Sequence, residues 1–154
     1  MQLKTKIDAE DGRQELRISR KFELPLELLF KAYTEPEILE QWMGTKVLKL
    51  ENEKYGSWQF ETTDPRGNKH RFSGVIHEFV PDRQIIRTFE MVGTGFGVQL
   101  EFLEFESITE ETSRLDMHIV YRSAELRDQY LKIGMPRGLS MAHDRLQEAA
   151  EKYK

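Results

Sequence analysis

The chain has 154 residues, a net charge of −4 and 32% charged residues of interspersed sign, so no broad positive field is available to attract nucleic acid. It has no cysteine, which excludes disulfides, thiolate metal sites and cysteine nucleophiles. No apolar run approaches the roughly 18 residues of a membrane span, and Met1 to Asp11 lacks a signal-peptide core, so a cytoplasmic location is expected.

A chain of this length can remove roughly two-thirds of its unfolded surface from water. One domain over residues 1–154 is expected, with roughly the first dozen residues either flexible or forming an added strand. Leu16, Ile18 and Phe22 share one parity, the period of a strand. Arg20 interrupts that set, so it either sits at the sheet margin or points into a wet cavity. Pro25 opens a helix with Leu26, Leu29, Phe30 and Tyr33 at helical spacing. Pro36 restarts the pattern with Ile38, Leu39 and Trp42, and Gly44 ends it.

Strands and turns then alternate. Val47 to Leu50 is followed by Trp58, Phe60 and Thr62, and Asp64-Pro65-Arg66-Gly67 has the chemistry of a tight turn. Phe72, Gly74 and Ile76 share a parity, Pro81-Asp82 turns the chain, and Ile85 to Val92 is the next strand. Gly93-Thr94-Gly95-Phe96-Gly97 reads as a mobile hairpin loop and candidate lid; it opens no helix and so cradles no phosphate. Val98, Leu100 and Phe102 take one parity while Leu103 and Phe105 take the other, which predicts a β-bulge near Phe102. Leu115, Met117, Ile119 and Tyr121 complete the strands. Ser123 caps a helix over 124–132, Gly134 and Pro136 break it, and a long helix runs to Tyr153.

The fold class expected is α+β: a curved antiparallel sheet of about six or seven strands, two short helices after the first strand, and a long C-terminal helix over a cavity. That order is the helix-grip arrangement. The run from Phe22 through Glu23-Leu24-Pro25 to Trp42 resembles the opening of SRPBCC (START/Bet v 1-like) proteins, on the branch of the C-terminal domain of the activator of Hsp90 ATPase. Gly56-Ser57-Trp58, Ser73 to Pro81, and the stretch from Ser123 through Gly134-Met135 to Leu146 match as well, so the resemblance spans about Leu16 to Tyr153. It implies the fold, a ligand cavity and a link to Hsp90-type chaperones. Family members often carry Trp-Trp-Gly where this chain has Trp42-Met43-Gly44, which points to a different pocket entrance.

The expected cavity walls are Trp42, Trp58, Phe60, Phe72, Phe89, Met91, Leu100, Met117, Met135 and Leu139, with a packed core as the alternative for each. His143, on the apolar side of the last helix, is a candidate to contact a ligand or act as a base; otherwise it is a partly exposed boundary residue. His77 and His118 read as surface or margin residues and His70 as solvated. The histidines lack ligand spacing, so no metal and no cofactor are expected. Glu101, Glu104 and Glu106 read as a solvated sheet face.

The function expected is that of a monomeric binding protein whose partner is a small hydrophobic or amphipathic molecule. One alternative is a stress protein associated with an Hsp90-type chaperone. The other is a cyclase- or hydrolase-like enzyme with His143 as base and Arg20 and Tyr121 as contributors.

Overall fold

The structure is a computed structural model and describes residues 4–154. The chain runs β1 (Lys6–Asp8), β2 (Glu15–Phe22), α1 (Leu26–Thr34), α2 (Pro36–Met43), β3 (Lys46–Leu50), β4 (Ser57–Thr63), β5 (Lys69–Val80), β6 (Gln84–Met91), β7 (Val98–Ser107), β8 (Ser113–Val120), α3 (Ala124–Lys132) and α4 (Met135–Glu151). The eight strands form one antiparallel sheet in the order β1-β2-β8-β7-β6-β5-β4-β3. Successive hairpins build β3 to β8, and β2 closes onto β8 from Glu15↔Val120 to Phe22↔Ser113.

The strand count exceeds the expected six or seven because the N-terminal segment adds a short edge strand. β1 pairs Lys6 with Ser19 and Asp8 with Arg17. Just before it, Thr5 is buried, with its hydroxyl 3.1 Å from His143 Nδ1. A contact across the whole chain thus pins a segment whose own pattern is too short to read. The expectation for Met1 to Leu3 lies outside the described residues.

The helix punctuation follows the sequence chemistry. Pro25 is the N-cap of α1, its carbonyl accepting from the Leu28 and Leu29 amides. Pro36 occupies the first turn of α2, and Gly44 ends it in the left-handed conformation that lacks a Cβ penalty. Ser123 caps α3 by accepting from Leu126 N. Gly134, at φ 86°, turns the chain between α3 and α4. No helix among the described residues is long and apolar enough to cross a membrane.

β7 has no bulge. It runs in unbroken register against β6 and β8, and its buried positions are Gln99, Glu101, Leu103 and Phe105. Register shifts fall instead between Val47 and Lys49 and between Ile76 and Glu78. The second turns both Ile76 and Phe79 inward and bends β5. Beside that bend a Cβ on Gly74 would lie 2.0 Å from Thr88 O and 2.6 Å from Trp58 Nε1. Only a glycine lets β6 and the indole edge approach this closely.

The core divides along the length of the sheet. At one end α1 and α2 fill the inner face: Phe30 stands edge-on to Phe105 at 5.0 Å, and Tyr33 meets Trp42 at 5.1 Å. α4 lies over the middle, burying Leu146, Ala149 and Ala150. Along the first half of α4, side chains leave a gap between helix and sheet.

Candidate functional site

The gap is a pocket of about 440 Å³, within the usual range for a small-molecule site. Phe89 and Met91 of β6, Met117 and Ile119 of β8, and Tyr121 form the sheet wall. Met135, Leu139 and Ala142 of α4 form the opposite wall, at i, i+4 and i+7, which places them on one helix face. Trp42 and Met43 close one side, and Tyr130, Ile133 and Gly134 close the other. Met43 therefore stands in the wall.

The wall also holds a buried polar cluster. Arg87 and Glu101 are directly opposed on β6 and β7, and Arg87 Nε donates to Glu101 Oε1 at 2.9 Å. Gln99 Nε2 donates to Glu101 Oε2 at 2.8 Å. The guanidinium also lies 5.1 Å over the Trp58 ring, so an aromatic face covers it from behind. Burial pushes the hydroxyls of Tyr33 and Tyr121 up, and that of Tyr130 up to about 12, with the Glu101 charge adding to each, so all three stay protonated at neutral pH. The Tyr130 hydroxyl has no partner among the described residues although the residue is only 6% exposed. Phe96, from the Gly93 to Gly97 loop, packs against the Tyr130 ring at 4.6 Å, tilted by 40°.

Six of the expected wall residues meet in the pocket: Trp42, Phe89, Met91, Met117, Met135 and Leu139. Trp58, Phe60 and Phe72 do not reach it. They pack behind Phe89 and Arg87 as tilted rings, with Trp58 at 4.7 Å from Phe60 and 5.6 Å from Phe89, and Phe72 at 5.6 Å from Phe89. Leu100 lies on the opposite face of β7 from the pocket, because its neighbours Gln99 and Glu101 are the buried ones. Glu101 is 4% exposed and belongs to the interior, while Glu104 and Glu106 are exposed as expected.

His143 is fully buried and lines no part of the pocket. Its Nδ1 lies 3.1 Å from Thr5 Oγ1 and its Nε2 3.3 Å from the Tyr33 hydroxyl, so both ring nitrogens are engaged. Burial, then the nearby Arg20 charge, pulls it from the ordinary 6.5 down to about 3, with Asp144 opposing. It is a neutral core residue. Arg20 is buried too, donating to Thr5 Oγ1 at 3.3 Å and to Asp144 at 2.9 Å. It is neither a margin residue nor a pocket group.

Sequence reading missed Arg87, Gln99, Glu101 and Tyr130. A signal for three of them was present: carrying the Leu103 and Phe105 parity back along β7 reaches Glu101 and Gln99, and the hairpin then sets Arg87 opposite. Among the described residues no group of three or more His, Cys, Asp or Glu is placed to hold a metal. A groove of about 520 Å³ on the outer sheet face is lined largely by charged and polar groups such as Lys6, Asp8, Arg17, Glu104 and Asp116. It is a solvated surface. There His118 pairs with Glu15 at 2.6 Å and stacks on Phe102.

An eight-stranded antiparallel sheet gripping a C-terminal helix, with a pocket between the two, defines a helix-grip protein of the SRPBCC type. The family model described as "Activator of Hsp90 ATPase homolog 1-like protein" matches residues 23–151, and the chain belongs to that family. Solved structures share its fold. A Rhodobacter sphaeroides protein is 22% identical, with a TM-score of 0.84 over 97% of this chain and 99% of its own. An Arthrobacter aurescens protein is 16% identical, with a TM-score of 0.87 over 96% of this chain and 91% of its own. A Nitrosomonas europaea protein is 19% identical, with a TM-score of 0.80 over 94% of this chain and 98% of its own. Comparison with curated proteins finds no match.

Proposed function

We propose that this chain is a binding protein for one small amphipathic molecule, held between α4 and the inner face of the sheet. The observation that carries this reading is an apolar pocket ending in a buried polar cluster with an unpartnered tyrosine hydroxyl. Hydrophobic walls supply affinity, and a few fixed polar groups supply orientation. Native mass spectrometry of the protein purified from its own host tests this, with Leu139→Trp as the blocked control. A bound mass lost in Leu139→Trp supports the reading. A ligand-free protein that also fails to take up the apolar dye anilinonaphthalene sulfonate overturns it.

A second reading rests on the family's description, which names an activator of Hsp90 ATPase. In that reading the chain contacts an Hsp90-type chaperone of the same cell. An unchanged ATPase rate of that chaperone on mixing would remove it.

A further inference from the structure

The polar end of the pocket holds hydrogen-bond donors that no group among the described residues engages. Both oxygens of Glu101 already accept, one from Arg87 Nε and the other from Gln99 Nε2. The terminal nitrogens of Arg87 take no partner among the described residues. With the ring of Trp58 covering one guanidinium face, their N–H groups are left at the pocket edge. The Tyr130 hydroxyl, on a residue of the same wall, also lacks a partner among the described residues. The arrangement is also balanced in charge, because Arg87 and Glu101 offset each other at 2.9 Å.

Building on the ligand-binding reading, we propose that the occupant is an uncharged apolar molecule ending in a hydrogen-bond acceptor, such as a ketone, ester or amide carbonyl, set against Arg87 and Tyr130. A neutral carbonyl gives the Arg87 terminal N–H groups an acceptor and brings no charge to desolvate. A carboxylate would bury a charge beside Glu101 with no net positive charge to offset it. An ammonium would meet Arg87. The other cation of the wall is Arg145, an exposed residue whose Nε donates to Trp42 O at 3.1 Å. A carboxylate held there would point the ligand the opposite way.

Trp42 in the wall and Trp58 beneath Arg87 make tryptophan fluorescence a direct readout. The full chain is titrated with methyl octyl ketone, decanoate and decylamine, which share a carbon count. The ketone is expected to bind about tenfold more tightly than either charged probe, the equivalent of one net hydrogen bond. Tyr130→Phe should weaken the ketone alone. Glu101→Gln leaves the Arg87 charge without its counterion and should shift the preference to decanoate. Because Arg87→Met strands a buried carboxylate, Arg87→Met/Glu101→Met removes both charges together; it should stay folded and lose the ketone preference. Decanoate binding as tightly as the ketone and weakened by Arg145→Gln would overturn the proposal. So would equal binding of all three probes unaffected by Tyr130→Phe, which leaves the pocket occupied without this headgroup. Failure of every probe, with no retained mass in host-purified protein, overturns the underlying ligand-binding reading instead.

Discussion

At the scale of single residues, neighbours on one helix face have different roles. Leu146 is fully buried, and Leu146→Ala should cost about 2–5 kcal/mol, because a cavity opens where none existed. Leu139, only partly buried, already borders open space. Leu139→Ala should cost about 1 kcal/mol while loosening ligand binding. Urea unfolding of both variants checks the contrast, and equal large losses would mean that Leu139 packs a filled core. His143 supplies the pH dependence. Its folded value, about 3, lies below its ordinary 6.5, so the unfolded chain binds the extra proton. The stability it contributes is complete above about 6.5 and is lost as pH falls towards about 3. His143→Gln, which cannot titrate, should show a shallower loss of stability across that window in pH-dependent urea melts. A slope parallel to that of the parent would show that other groups carry the acid sensitivity.

At the scale of elements, two glycines stand where a side chain would be penalised for different reasons. Gly74 lets β5 and β6 bend together, and Gly74→Ala should cost about 3 kcal/mol or more, since Thr88 O blocks the new methyl. Gly134 turns α3 into α4 with open space around it, so Gly134→Ala meets only the left-handed backbone penalty of about 1–2 kcal/mol. Circular dichroism melts of the two variants should rank them in that order. These elements were legible because each announces itself locally, by Pro25, Pro36, Gly44, Ser123 and alternating apolar residues. The polar end of the pocket was not. Gln99 and Glu101 look like a solvated face when apolar residues alone decide which side of β7 points inward. Assigning Val98, Leu100 and Phe102 to the interior then required a bulge that the strand does not contain. For β1 the sequence left two alternatives, a flexible segment or an added strand, because what pins it is Thr5 against His143, a contact no local pattern encodes.

At the scale of the whole molecule, the pocket lies between the first half of α4 and the inner face of β6, β7 and β8. Aromatic residues fill the end of the fold under α1 and α2, and the polar cluster lies in the pocket wall. The sheet is also open rather than a closed barrel, so among the described residues it has two free margins. One is β1, three residues long; the other is β3, five residues long, broken by a register shift and carrying Lys46 and Lys49. Neither offers a long flat row of amides and carbonyls to a neighbour, and the lysines repel a second copy. The chain is therefore expected to elute as a monomer in light-scattering chromatography even at high concentration, and a concentration-dependent dimer would show that a margin is competent to pair. The same irregularities that shape the sheet thus guard its free margins against aggregation.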